Sequence, residues 1–472
     1  MKRLSLLLVA LSAALSAEEI PTITAVMENG PSANRINVVF LSEAYVASQR
    51  ETYFSDVQIA TEGLFNFMPF KEYRNHFNVY AIWVASQDSF LAVVARGEEP
   101  RTYFGQWGGL GADGEKGERV LRSFLPSSNP TVVVLLVNDD RVTGAGSKGG
   151  MTVGTGLLHH DPDWTNRDYT RSVIHEFGHA LGGLSDEYNG NLVLMSRETE
   201  RNYGPPGHFI NVTTETNRDR VKWRHWLESA VPIPTPVYTV LRERNGVYYE
   251  TSDYADKVGL FEGAYLFSTG WYRPKLTCIM REVSDSSGET PPFCEVCREA
   301  LVLEIYRQVD PTAELDLAVG ETVTVFSINP PQPADHNLKL QWLVDGVAVP
   351  RQNSSRLEVT DAWLGYGRHT VTVTVEDTTE WVRMDSVGLL VRSLEWRPIV
   401  YYPKPDFSGD GAVDFDDFFM FADVFGRPVT SRTEKFDLDW SGGLIDFTDF
   451  FLFADSFGRR VSEQKISVPD AQ

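Results

Sequence analysis

Cysteine is scarce in this chain: of 472 residues only Cys278, Cys294 and Cys297 carry a thiol. An odd number cannot pair completely, so one disulfide and one free thiol is the simplest arithmetic in an oxidising compartment. The expected bridge joins Cys278 to Cys294 or to Cys297. A metal site built on the three would want a fourth ligand, and the local sequence offers no obvious one. Basic charge is short as well. With 43 Lys and Arg against 65 Asp and Glu, the formal charge is -22, which excludes nucleic-acid binding of the kind that needs a basic surface. Long apolar runs are missing. Leu4 to Leu15 is too short for a comfortable membrane span, and no other stretch comes close.

That one run follows Lys2 and Arg3 and leads into the small residues Ser12, Ala14, Ser16 and Ala17. Together they read as an export signal over 1–17, with the mature chain beginning near Glu18. The protein is therefore expected to be secreted or at the cell surface. Apolar content of 42% and charged content of 23% are those of an ordinary globular protein, and the length suggests two to four domains.

The N-terminal part alternates strand and helix patterns. Ile36 to Leu41, Phe77 to Val84 and Thr131 to Val137 are short apolar runs rich in β-branched residues, as buried strands require. Ala44 to Phe67 and Gly114 to Phe124 carry helical spacing between them. This order predicts an α/β sheet with helices packed on it. A glycine-rich stretch, Gly144 to Gly156, comes next and suits an edge strand or cleft rim as well as a surface loop. An irregular, aromatic-rich half from Gly190 to Gly270 follows, and a helix over Cys294 to Gln308 closes the domain, expected to span 18–310.

Near Asp310-Pro311 the pattern changes to alternating strands: Thr322 to Phe326, Leu338 to Trp342 and Thr370 to Val375. Val344-Asp345-Gly346-Val347 is a hairpin signal. Residues 311–396 read as a small β-sandwich, and Trp342 resembles the core tryptophan of immunoglobulin-like modules, without their cysteine pair. A proline-containing linker, 397–405, leads to an internal repeat over 406–460 and a tail over 461–472. Asp414 to Arg427 recurs as Asp446 to Arg459, each copy a loop running into a short helix with Phe on one face. The expected fold class is therefore multidomain: an α/β domain, an immunoglobulin-like β-sandwich and a small helical, EF-hand-like repeat pair.

The first repeat has the spacing of a calcium loop, with oxygen donors at Asp406, Ser408, Asp410, Asp414 and Asp417, the Ala412 carbonyl between them, and Gly411 at the sharp turn. The second has one residue too many, so Asp437, Asp439, Ser441, Asp446 and Asp449 are weaker candidates. The pair resembles dockerin type I repeats over roughly 55 residues. That resemblance implies Ca2+ and a cohesin-like or surface partner.

The chemistry concentrates in Arg171 to Tyr188, which contains His175-Glu176-x-x-His179. Residues four apart share one face of a helix, so both imidazoles can aim at one point, with Glu176 beside them to work on a metal-held water. Thr165, Asn166 or Asp168 can cap the helix, Val173, Ile174, Phe177 and Leu181 form its buried stripe, and Gly182-Gly183 ends it. A catalytic zinc needs a third protein ligand and one open position. The position that metzincins use falls on Ser185, a poor ligand; Asp186, one residue on, is the better candidate, Glu187 the local alternative and Glu262 the distant one. Met280 is the candidate for a methionine turn beneath the metal. Tyr188 and Tyr272 could each stabilise an oxyanion, and His159-His160-Asp161 reads as a surface loop.

His175 to Tyr188, Val258 to Tyr265, Gly270 to Pro274, Cys278 to Arg281 and Phe293 to Cys297 are similar to the bacterial IgA-peptidase family, metallopeptidase family sixty-four, over roughly Asn34 to Tyr306. The resemblance implies a secreted, metzincin-like zinc endopeptidase acting on a protein or peptide substrate, with His175 and His179 as ligands and Glu176 as base. The competing expectation, from another class, is an inactive surface binding protein that docks through its calcium repeats.

Overall fold

The computed structural model describes residues 20–89, 101–105, 114–138, 144–155, 162–189, 209–242, 247–281, 289–319, 323–350, 353–360, 367–401 and 405–460. The expected export signal and His159-His160-Asp161 lie outside them. Among the described residues two compact units separate: 20–28, 35–70 and 77–297 form the first, and 29–34, 71–76 and 298–460 the second. The division falls within the closing helix rather than at Asp310. No helix among the described residues is long and apolar enough to cross a membrane.

The first unit is built on a six-stranded sheet. Its strands are β1 (Thr22–Met27), β2 (Ile36–Glu43), β3 (Phe77–Trp83), β4 (Thr131–Val137), β5 (Gly144–Ser147) and β6 (Gly150–Gly154), in the order β1-β3-β2-β4-β6-β5. The inner pairs β3–β2, β2–β4 and β4–β6 are parallel, and both edge strands are antiparallel. Every residue of β2 and β3 is buried, which explains their unbroken apolar runs: a parallel strand covered on both faces has no side for water. The glycine-rich segment is the edge strand β5 and its partner β6, not a surface loop.

Helix α1 runs over Arg50–Phe65 and α2 over Gly114–Arg122. The start of α1 is later than the spacing suggested, because Ala44 takes a left-handed φ of 62° and a short 3-10 turn, Ala47–Gln49, intervenes. Helix α3, Pro162–Gly182, packs on α1, β5 and β6. It begins before Thr165, Asn166 and Asp168, so these residues lie inside the helix instead of capping it. Its buried stripe is the expected one, Val173, Ile174, Phe177 and Leu181. Phe177 meets Phe70 edge-on at 5.1 Å, and Phe70 also meets Phe77 and Phe293, so aromatic edge-to-face contacts seat the helix against the sheet.

The closing helix α4 covers Glu295–Gln308. In the second unit, β11 (Leu315–Val319), β12 (Val323–Ile328) and β15 (Arg356–Thr360) form one antiparallel sheet; β13 (Lys339–Val344), β14 (Val347–Ala348), β16 (Gly367–Glu376) and β17 (Val391–Tyr401) form another. Strands β7 (Tyr238–Arg242) with β8 (Val247–Thr251), and β9 (Phe261–Ala264) with β10 (Phe267–Arg273), are hairpins of the first unit. Trp342 stacks on Trp396 at 5.9 Å and 20°, inside one core fed by both sheets. The β13–β14 turn puts Asp345 and Gly346 at φ 51° and 75°, the conformation that Asp-Gly adopts in a two-residue hairpin. Residues 397–401, expected to be linker, continue β17. Pro398 is accommodated because β17 is an edge strand and the register shifts between His369 and Val371 of its partner.

The repeats pair reciprocally. Val413 N donates to Arg459 O and Gly458 N to Val413 O; Ile445 N donates to Arg427 O and Gly426 N to Ile445 O. Between them helices α5 (Phe415–Ala422) and α6 (Phe447–Ser456) bury Phe421 and Phe453 against Phe407 and Phe436. Neither copy closes a core alone.

A polar knot lies within the second unit. His336 Nδ1 contacts Glu72 Oε1 at 2.6 Å and its Nε2 contacts Asp377 Oδ1 at 2.7 Å, while the hydroxyls of Tyr73 and Tyr306 donate to Asp377 Oδ2. Burial lowers the His336 pKa, but bonds and charge from Asp377 and Glu72 outweigh it and the net shift is upward. A raised folded pKa gives stability that is full below about pH 6.5 and is lost as pH rises through the folded value. The apparent Tm of the full chain is expected to fall across that interval. His336→Gln should flatten the dependence when thermal scans are compared pH by pH.

Candidate metal centre

Three side chains converge at the C-terminal half of α3. His175 Nε2 and His179 Nε2 are 3.2 Å apart, and Asp186 Oδ1 lies 3.1 Å from the first and 3.2 Å from the second. A tetrahedral zinc with bonds of about 2.0–2.1 Å separates its N and O ligands by about 3.3 Å, so the triangle has the size that such an ion needs. The tautomers suit it too. His175 Nδ1 bonds the Ile279 carbonyl at 2.8 Å and His179 Nδ1 the Leu184 carbonyl at 2.7 Å. Each Nδ1 therefore carries the proton, leaving Nε2 with a lone pair.

The turn after α3 delivers Asp186. Gly183 takes φ 59° and its N–H bonds His179 O at 3.0 Å, the left-handed stop that a residue with Cβ resists. Every following residue is held by its backbone. Ser185 N and O bond the Asn211 amide at 2.8 Å each, and Asp186 O accepts from Tyr265 N. Glu187 N donates to Met280 O, and Tyr188 O accepts from Leu266 N. Tyr265 and Leu266, at φ 52° and 69°, form the β9–β10 turn, so this hairpin clamps the Asp186 segment.

Glu176 stands beside the triangle, half against β5. An added Cβ at Gly144 would lie 2.5 Å from Glu176 Oε1, and one at Gly146 would lie 2.6 Å from Glu176 O. Only glycine lets the edge strand come this close, which gives the glycine run its physical reason. The Gly146 N–H bonds the Glu176 carboxylate. Burial pushes the Glu176 pKa up, and the neighbouring imidazoles offset part of that rise. For Asp186, burial is overcome by the pull of the His175 and His179 imidazoles beside it, which holds the carboxyl well below its usual range. For His175 the net shift is upward, because Asp186 and Glu176 outweigh burial.

Of the alternatives, Ser185 lies outside the convergent trio, its backbone held by Asn211, and Glu262 lies on β9 accepting from Gly270 N at 2.9 Å. Glu187 points elsewhere. It joins Cys278, Cys294 and Cys297, all buried, in a second cluster whose donor atoms lie within 4.8 Å of one another. The expected disulfide is absent: all three thiols are free, with Cys278 Sγ and Cys297 Sγ 4.0 Å apart, far beyond the bond length of about 2.05 Å. The carboxylate beside the three thiols belongs to Glu187, far upstream in sequence.

Tyr188 is the tyrosine at the site, stacked on His175 at 6.5 Å and 23° and bonded to Asp186. Tyr272 instead pairs its backbone with Thr213. Met280 is fully buried beneath α3.

In the repeats, the carboxylates of Asp406, Asp410 and Asp417 come together, as do those of Asp437, Asp439 and Asp449. Asp414 and Asp446 cap α5 and α6, bonding Asp416 N and Thr448 N. Ser408 Oγ donates to Asp406, Ser441 N to Asp439, and Ala412 bridges to Arg460. Trp440 takes φ 55° and Gly442 70°, where Gly409 and Gly411 take 80° and 91°, so the surplus residue of the second loop falls between Gly442 and Ile445.

Residues 24–247 and 237–305 match the family model IgA Peptidase M64. Among curated proteins no relative matches.

Met280 Sδ and Phe293 Cε1 would lie 2.6 Å and 3.0 Å from a Cβ added at Gly178, which sits between the two histidines. Both neighbours are buried. Gly178→Ala is expected to destabilise the protein by about 1–3 kcal/mol through overpacking, read as a lower midpoint in urea with an unchanged m-value.

Proposed function

The chain belongs to the IgA peptidase family, and from that premise we propose that it is a secreted zinc endopeptidase with a metzincin-like site. The observation that carries the reading is the triangle of His175 Nε2, His179 Nε2 and Asp186 Oδ1 with Glu176 alongside. These three residues would hold the ion. Zinc bound there would acidify a water and polarise the scissile carbonyl.

Glu176 takes the proton of the attacking water and returns it to the leaving amine. Burial raises its pKa, which strengthens it as a base. Gly146 N–H orients the carboxylate. Tyr188, about a third exposed and beside His175, would turn its hydroxyl from Asp186 to the oxyanion as charge develops there. Glu176→Gln, nearly isosteric, should lower peptide hydrolysis by about 100-fold or more while zinc content stays at the wild-type level. Near wild-type turnover in the folded, zinc-loaded variant would refute the assignment. A folded wild-type protein without zinc would instead favour an inactive binding protein.

For the C-terminal repeats we propose calcium binding and tethering, with the second unit's two sheets acting as an immunoglobulin-like spacer. Support comes from the two convergent carboxylate trios and from Phe415, Phe419, Phe447 and Phe451, each more than 60% exposed at matching positions of α5 and α6. Repeated exposed aromatics suit a cohesin-like or surface partner. After removal of calcium with a chelator, the full chain should rebind about two ions, and Asp417→Ala should reduce this to about one by isothermal titration. No calcium-dependent heat in the wild type would dismiss the module's metal.

A further inference from the structure

We propose that Glu187, Cys278, Cys294 and Cys297 form a second, wholly buried site for a structural zinc ion, which holds in place the segment carrying Asp186. The donor set is the first argument. Three thiols and a carboxylate, one ligand atom from each within 4.8 Å of the others, match a four-coordinate site. Zinc with Zn–S bonds of about 2.3 Å separates two sulfurs by about 3.8 Å, and Cys278 Sγ and Cys297 Sγ are 4.0 Å apart. Glu187 Oε1 lies 3.0 Å from Cys297 Sγ and 4.0 Å from Cys294 Sγ, bracketing the spacing of about 3.5 Å between S and O ligands of such an ion. Soft thiolates with a closed tetrahedral shell select zinc over calcium or magnesium.

Burial is the second argument. Glu187, Cys278 and Cys297 are 0% exposed and Cys294 4%. Glu187 Oε1 already accepts from Asn211 Nδ2 at 2.9 Å, but Oε2 is buried without a partner among the described residues. A buried carboxylate oxygen facing thiols is costly unless a cation neutralises it. The buried guanidinium of Arg273 acts on Glu187 only through space; its N–H groups go to the carbonyls of Glu262 and Gly263 and to Glu250. It also complements the net negative charge of a zinc bearing three thiolates and a carboxylate. The Cys294 N–H donates to Cys278 Sγ at 3.3 Å, the outer-shell bond typical of a coordinated thiolate, and Cys294 and Cys297 sit at the N-terminus of α4, whose dipole favours thiolate. On binding, each thiol loses its proton to solvent and a Zn–S bond forms.

The connectivity gives the ion its purpose. It would join residues 185–188, 278–280 and 294–297. Glu187 is the neighbour of Asp186, and Cys278 precedes Ile279, whose carbonyl holds His175. One ion would thus fix a ligand and an outer-shell partner of the three-residue site at once. Zinc binding by the cluster does not depend on the peptidase reading; its influence on Asp186 does.

The test is zinc analysis by mass spectrometry on the full chain and on a His175→Ala/His179→Ala variant, both grown in zinc-supplemented medium. The expected result is about two zinc ions in the wild type and about one in the variant. X-ray absorption of the variant should show a sulfur-dominated shell near 2.3 Å, the Zn–S distance. A mercurial should release that ion as the thiols are titrated, and Glu187→Gln in the same background should weaken its retention against a chelator. One ion in the wild type with the same sulfur shell would support this site while removing the catalytic one. A folded, zinc-free double variant would overturn the proposal, as would a single free thiol after denaturation in chelator, the signature of a disulfide.

Discussion

Everything chemical in the first unit depends on how Ser185 to Tyr188 is held. Four consecutive residues leave a helix through a left-handed glycine and carry no regular secondary structure, yet each makes a backbone hydrogen bond to one of three other parts of the unit. Asn211 stands in for a strand on one side, the β9–β10 turn on another, and Met280 on a third. An irregular segment buried without such partners would lose the equivalent of several hydrogen bonds. With them, Asp186 reaches the two imidazoles in one geometry.

The second constraint is the approach of β5 to α3. A catalytic carboxylate needs to be dry enough to be a useful base and open enough to meet substrate. For Glu176, the base we propose, the edge strand meets both needs by lacking side chains where it lies and by offering the Gly146 N–H to its carboxylate. Among the described residues β5 is the antiparallel end of the sheet. The same absence of Cβ atoms that weakens the strand as a strand makes it usable as a cleft wall.

The second unit follows different physics. Its two sheets alternate inward and outward residues around Trp342 and Trp396, and its repeats solve the problem of a small core by exchanging backbone bonds between copies. Loop backbones wrap the carboxylates there: Asp406 alone accepts from Gly409, Asp410 and Gly411 N–H groups. These bonds order the loops and gather like charges that repel one another.

Periodicity alone determined much of this. The buried strands, the stripe on α3, the glycine stop, the Asp-Gly hairpin and the repeat are local patterns, and a local pattern reflects which face of an element is dry. His175, Glu176 and His179 were legible for the same reason, since one helical turn sets their spacing. Tertiary structure decided what local pattern cannot carry. It chose among Asp186, Glu187 and Glu262 by sending each to a different place, although two of them are adjacent in sequence. It placed Tyr188 and not Tyr272 beside the imidazoles, and it turned a glycine-rich stretch into the wall against Glu176. It also assembled Glu187 with three cysteines some ninety to one hundred and ten residues away. Convergence across such distances depends on how whole elements pack, and no spacing along the chain records it.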